Sequence, residues 1–229
     1  MDACSRRTFL TAAALSAGTA SLVLPRAARA EGVKIRHAVI GLGGQGTRHA
    51  RVLSGFPDCE IAALCDVDPE RLAKVGEKLP GAKLHDDFRR VLEDPSIDSV
   101  SVATPDHWHT PVALAALAAG KHVYVEKPCA QTLHEARTLR DAAARSGKVV
   151  QQGTQGRSGQ ALKDAVAFMR EGGLGKVRAA KAINHQLREP IGRAPESDPP
   201  PGVNYDLWLG PAPKHAFTAN RWHYNWHWF

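Results

Sequence analysis

Cysteine is scarce in this chain, and the four that occur form no pattern. Cys4, Cys59, Cys65 and Cys129 include no C-x-x-C pair and no metal-ligand spacing. That argues against a disulfide framework or a structural zinc site and leaves buried free thiols as the reading. Lysine and arginine form no block and no basic helix, so the net charge of +7 does not point to nucleic acid. Part of that charge is concentrated at the N-terminus. Residues 1–30 hold Arg6, Arg7, Arg26 and Arg29 against Asp2, and beyond them 26 basic side chains face 22 acidic ones. No apolar run is long enough for a permanent membrane span. No repeat of fixed period occurs. His107 and His109, and His223 and His227, are paired in spacing but lack acidic or thiol ligands beside them, so no metal is expected. With 43% hydrophobic and 23% charged residues the composition is that of an ordinary globular protein. The length of 229 residues allows one domain and part of another.

The N-terminus, by contrast, is patterned. Ser5-Arg6-Arg7-Thr8-Phe9-Leu10 matches the twin-arginine export consensus. A modest apolar run from Thr11 to Leu24 follows, then Pro25 and Ala28-Arg29-Ala30, an A-x-A cleavage site. Residues 1–30 therefore read as a signal peptide, and the protein as exported, periplasmic or its equivalent. This pathway carries folded proteins, which suits a tightly held cofactor.

From Ile35 onward strands alternate with helices. Strands are expected at 35–40, 60–65, 99–103, 122–125 and 148–151. Helices are expected at 45–54, from Asp68-Pro69, from Asp86 or Asp87 to Leu92, at 110–119 closed by Gly120, and at 132–145 closed by Gly147. Short loops between alternating elements mean a parallel, doubly wound α/β sheet. After Gln152 the rhythm changes: a helix over 158–171, a strand over Val177–Asn184, then a proline-dense loop over 189–202. The end is aromatic, with Trp208, Trp222, Tyr224, Trp226, Trp228 and Phe229. A domain rarely stops inside such a stretch, so the chain is expected to continue beyond Phe229, or a partner to cover the rings.

Gly41-Leu42-Gly43-Gly44-Gln45-Gly46 carries the G-x-G-x-x-G spacing. The first glycine permits the tight turn, the second a close approach of backbone to pyrophosphate, the third close packing of helix on strand. Alone this spacing is weak. Here a strand precedes it, a helix follows, and a second strand ends at Asp66, twenty positions after Gly46. Asp66 would accept hydrogen bonds from the adenosine ribose and repel a 2′-phosphate. NAD is therefore preferred, with NADP left open because the cation Arg71 is close by. Residues 33–152 read as a Rossmann domain.

Thr104-Pro105-Asp106-His107-Trp108-His109 after one strand and Glu126-Lys127-Pro128 after the next resemble the T-P-N/D-x-x-H and E-K-P segments of the Gfo/Idh/MocA oxidoreductases. Leu64-Cys65-Asp66-Val67-Asp68 and Leu207-Trp208-Leu209-Gly210-Pro211 resemble family segments too. The resemblance implies a nicotinamide-dependent enzyme acting on a sugar, polyol or glycoside hydroxyl. It places Lys127 beside the nicotinamide and the substrate hydroxyl as catalytic residue. Burial and the nicotinamide cation would lower its pKa enough for acid/base work. It places Thr104, Pro105 and His107 along the nicotinamide side, with Glu126 and Pro128 fixing the loop beneath it. A cis Lys127–Pro128 bond would aim the lysine inward. Gln152 and Arg157, with Gln155, follow the last strand, where substrate groups are expected; Arg157 reads equally as a solvated helix start. The terminal tryptophans read as sugar-stacking surfaces or, more simply, as packing.

The resemblance also implies a second α+β domain with an open sheet, a catalytic histidine in a D-x-x-x-H segment, and a homo-oligomer. No such segment precedes Phe229, so residues 153–229 read as the incomplete start of that domain. Some relatives are NAD-dependent glycosidases that oxidise, eliminate and reduce, and they tend to lack the lysine that this chain keeps. A non-catalytic dinucleotide-binding remnant is the remaining alternative.

Overall fold

The computed structural model describes residues 34–228 apart from 184, 186 and 188. The twin-arginine segment and Cys4 lie outside the described residues.

The chain runs β1 (Ile35–Ile40), α1 (Gly44–Leu53), β2 (Cys59–Cys65), α2 (Pro69–Gly76), β3 (Lys83–His85), α3 (Phe88–Glu93), β4 (Ser99–Val102), α4 (His109–Ala118), β5 (His122–Glu126), α5 (Leu133–Ser146) and β6 (Val150–Gly153). Then come α6 (Gln160–Arg170) and the short α7 (Tyr205–Leu209). The six strands form one sheet in the order β3-β2-β1-β4-β5-β6, every pair parallel. This is the doubly wound arrangement expected from the alternation.

The central strands β1, β2 and β4 are buried on both faces, which explains their short, apolar sequences, while the edge strands β3 and β6 are largely exposed. Ala38 and Ile40 of β1 join one core cluster with Val100, Val102, Val112 and Val125. Val39 between them points the other way, to Ile61, Leu64, Leu72 and Val75. That period of two fills both layers from one strand.

Local signals set most helix ends. The Asp68 carboxylate caps α2, accepting from the backbone N–H of Glu70 and Arg71, and Pro69 stands at the first helical position. Asp87, not Asp86, caps α3. Thr132 and Glu135 form a capping box on α5, and Gly147 closes it in the left-handed conformation at φ 65°.

Two expectations need correction. No strand forms over 177–183; these residues are exposed and irregular, and residue 184 lies outside the described ones. Its sequence suits a strand, but no neighbouring strand among the described residues offers a ladder to pair with. β3 was not expected: three residues, Lys83 to His85, are too short to show alternation, and only pairing with β2 reveals them. α6 forms, but none of its residues is buried, and Leu162, Val166, Phe168 and Met169 are exposed.

The thiols of Cys59, Cys65 and Cys129 are free, and burial pushes Cys65 well above the usual thiol range. Among the described residues no helix is long and apolar enough to cross a membrane.

His37 on β1 is 7% exposed and sits between the hydroxyls of Ser99 and Ser101, each 2.8 Å from a ring nitrogen. Two hydroxyls satisfy a neutral ring, and burial lowers its pKa to about 4. The unfolded chain would protonate near 6.5, so the folded state binds fewer protons in between. Stability is therefore full above about pH 6.5 and falls as the pH drops toward 4, by about 3 kcal/mol from this residue. Urea unfolding at about pH 7 and about pH 4.5 should show the loss, and His37→Gln should shrink it. A variant with the same pH slope as wild type would assign the loss to other groups.

Candidate functional site

β1 ends in the glycine turn. Gly41 adopts φ 87°, and a Cβ there would lie 2.7 Å from the Ala103 carbonyl and the Thr104 nitrogen. A Cβ on Gly46 would lie 1.7 Å from the Gly41 carbonyl oxygen, so α1 crosses the turn at backbone contact. Gly43 caps α1 with no side-chain hydrogen bond, and the first turn holds no acidic residue. The first-turn N–H groups of a ten-residue helix therefore point outward without an internal cap. Among the described residues the one atom near an imagined Cβ on Gly43 is an Arg71 guanidinium nitrogen, at 3.2 Å. Thr47 donates to the Leu42 carbonyl at 2.8 Å, tying the turn to the helix.

Asp66 at the end of β2 accepts from the Leu42 N–H at 2.6 Å and from the Asp68 N–H at 2.9 Å. Burial raises its pKa above the usual carboxylate range, and these two bonds oppose the rise. Each oxygen keeps a further acceptor site. The carboxylate thus braces the glycine turn as well as being available to a ligand.

On the other half of the sheet, Thr104 and Pro105 follow β4, and a tight turn over Asp106–Trp108 leads into α4. His107 and His109 diverge. His107 donates from Nε2 to the Trp208 carbonyl at 2.8 Å, and burial lowers its pKa. Trp108 Nε1 donates to the Leu207 carbonyl at 2.9 Å. Together they hold α7 against the domain. His109 is buried, with Nδ1 2.6 Å from the Pro128 carbonyl and Nε2 2.9 Å from that of Thr104. It ties the two cavity-lining loops together. Among the described residues no His/Cys/Asp/Glu cluster could hold a metal.

Glu126 ends β5 at 4% exposure. Its Oε1 accepts from Gln45 Nε2 at 3.2 Å, from His49 Nε2 at 3.0 Å and from Gln155 Nε2; its Oε2 accepts from the Lys127 N–H at 3.2 Å. Gly153 leaves room for this carboxylate, since a Cβ there would come within 3.0 Å of it. Lys127 follows, and the Lys127–Pro128 bond is cis. Lys127 is exposed, so the burial expected for it is not supplied by the described residues.

These parts wall one cavity of about 1390 Å³. Gly41, Gly43, Gly44, Gln45, Asp66, Thr104, Pro105, His107, Glu126 and Lys127 all line it, as sequence reasoning grouped them. Leu42 and Gly46 stand behind it, in the core and against Gly41. Gln152 and Arg157 are exposed and not on its wall; Arg157 borders a separate shallow hollow on α6.

Sequence reasoning missed the contribution of His49 and of His223, and named Arg71 only as a cation near Asp66. His49 looks like any polar helix residue. Arg71 and His223 meet at Asp68, whose Oδ2 is 3.5 Å from Arg71 Nε and 3.2 Å from His223 Nε2. Burial and Arg71 lower the His223 pKa to about 4. The segment that brings His223 there is aromatic: Tyr205 stacks on Trp208 at 5.6 Å, and Trp208, Phe217 and Trp222 pack together. Trp208 is buried, so its ring serves packing.

The wall fits a dinucleotide. Uncapped N–H groups and Arg71 suit a pyrophosphate, and the buried Thr104 hydroxyl has no partner among the described residues. Known proteins agree. A family model described as "Oxidoreductase family, NAD-binding Rossmann fold" matches residues 35–154. The myo-inositol 2-dehydrogenase of Thermotoga maritima is 31% identical over 156 residues, covering 68% of this chain and 47% of that one. A glycosyl hydrolase family 109 protein of Stenotrophomonas maltophilia is 37% identical over 147 residues, covering 59% and 32%. The solved scyllo-inositol dehydrogenase of Lactobacillus casei with bound NAD(H) and scyllo-inositol superposes at a TM-score of 0.59 with 25% identity, covering 62% of this chain and 42% of that one. The chain spans about half or less of the length of these relatives. Because the matched residues are the strands and turns that wall the cavity, and make up more than half of the chain, the conclusion follows that it belongs to the Gfo/Idh/MocA oxidoreductase family.

Proposed function

We propose that the protein is an exported NAD-dependent oxidoreductase that transfers a hydride between the nicotinamide and a sugar, polyol or glycoside hydroxyl. One observation carries the reading: a single cavity has uncapped helix N–H groups and Asp66 at one end and Lys127 at the other. Asp66 takes the adenosine ribose and disfavours a 2′-phosphate, although Arg71 keeps NADP as the alternative. Bound there, NAD supplies a hydride acceptor. The N–H groups of Gly44 and Gln45 hold its phosphates. Glu126 and His109 hold the Lys127 loop in place. Lys127 Nζ moves the proton at the substrate hydroxyl oxygen.

Residues 153–229 begin a second domain that completes the substrate site and mediates homo-oligomerisation, and residues 1–30 direct export. The relatives' names support inositols and related polyols or sugars as substrates.

The test is a dinucleotide titration of the intact protein, followed by a panel of polyols and sugars with NADH absorbance as readout. NAD binding and substrate-dependent NADH formation are expected. A protein that binds neither NAD nor NADP would overturn the reading. The glycosyl hydrolase relative supports a second one, transient oxidation with elimination; release of free aglycone without net NADH would favour it over the dehydrogenase, whereas retention of Lys127 favours the dehydrogenase.

A further inference from the structure

We infer that the buried Glu126–His49 pair biases this site toward the oxidised, positively charged form of the dinucleotide over the reduced form. The inference rests on the dinucleotide reading above and goes beyond it. All four partners of the Glu126 carboxylate are N–H donors: Gln45, His49, Gln155 and the Lys127 backbone. An ionised carboxylate, which only accepts, satisfies every one of them. Three of those donors are neutral groups. The fourth, His49, is nearly buried and lies edge-on to Tyr124 at 5.2 Å. Burial lowers its pKa, against the pull of Glu126 and with the help of Arg48. The ring is therefore neutral at neutral pH, and the Glu126 charge is hydrogen-bonded without being neutralised.

In a sheet of this order the adenosine lies over β2, at Asp66, and the nicotinamide over β4 and β5. Glu126 ends β5 and lines the cavity. The oxidised and reduced forms share every adenosine and phosphate contact and differ by one charge on the nicotinamide ring. A fixed anion in that wall therefore acts on the difference alone. At a separation of about 7 Å and an effective dielectric of about 20, one unit charge changes the affinity ratio by up to about fifty-fold, which solvent and salt at an open cavity reduce toward roughly tenfold. Lys127 is the neighbouring cation; it is exposed and screened. Its charge is the same in both variants below, so it cancels in their comparison with wild type.

The experiment measures Kd for NAD+ and for NADH by calorimetry, near neutral pH, in the intact protein and in two variants. Glu126→Gln removes the charge and keeps the shape. Gln155→Lys sets a cation against Oε1 from an exposed position, so the fold tolerates it. Both are expected to move the NAD+/NADH affinity ratio toward NADH by roughly tenfold. If Glu126→Gln does not fold, Gln155→Lys decides alone. A ratio unchanged in folded variants that bind both forms would overturn the inference and leave the dinucleotide reading standing. Failure of the wild-type protein to bind either form would instead overturn that reading, and this inference with it.

Discussion

Lys127→Met in the intact protein is expected to keep NAD affinity within a few-fold of wild type and to lower turnover by about 10²- to 10⁴-fold. The two halves of that expectation rest on different atoms. The Lys127 backbone N–H donates to Glu126 at 3.2 Å, a contact that survives any side-chain change. The loop is held independently, by His109 on the Pro128 carbonyl at 2.6 Å and by Thr110 Oγ1 on the Cys129 carbonyl at 2.8 Å. The exposed side chain can therefore be replaced with little loss of stability. Met keeps the length and apolar stem but has no proton to exchange. Removing an interaction made only during reaction lowers kcat and kcat/KM together. Steady-state NADH formation and a dinucleotide titration read the two effects apart. Turnover near wild type would demote Lys127 to a structural residue.

Gly46→Ala is the largest structural effect expected. The new Cβ would fall 1.7 Å from the Gly41 oxygen and 2.8 Å from its carbon, and both are backbone. Gly41 has little room to retreat, because even a Cβ added to it would lie 2.7 Å from the Ala103–Thr104 peptide. α1 must lift off β1, opening the layer that holds Leu42 and Ala50. A loss of about 3 kcal/mol or more, with collapse of dinucleotide affinity, is expected. Gly43→Val provides the contrast. Among the described residues only the end of the Arg71 side chain stands near that position, so the fold should persist while the new side chain fills the space the pyrophosphate needs. Thermal denaturation and calorimetry together separate the two: Gly46→Ala loses stability and binding, Gly43→Val binding alone. A Gly46→Ala protein as stable as wild type would mean that the turn is looser than its contacts indicate.

Most of the Rossmann half was legible because its signals are local. Asp68-Pro69 and Thr132-x-x-Glu135 state helix starts in four residues, and Gly147 states a stop. The glycine spacing and Asp66 state a turn and a strand end. The grouping of these with Thr104, Pro105, His107, Glu126 and Lys127 was legible as well, since doubly wound sheets gather strand ends at one edge. β3 and the unformed strand at 177–183 were not, because a strand exists only with its neighbour. Lys83–His85 has β2 beside it, and residues 177–183 have none among those described.

The sequence alone thus determined the alternation of strands and helices, the glycine turn and the strand-end residues that line the cavity from Gly41 to Lys127, for these follow from spacing and caps within a few positions. Only the tertiary structure decided which groups touch. It paired His49 with Glu126 across 77 positions and Trp108 with the carbonyls of α7 across about 100. It left Lys127 exposed and set Gln152 and Arg157 outside the cavity. Such contacts are made by side chains meeting through folded layers, and no local periodicity encodes the partner of a buried charge.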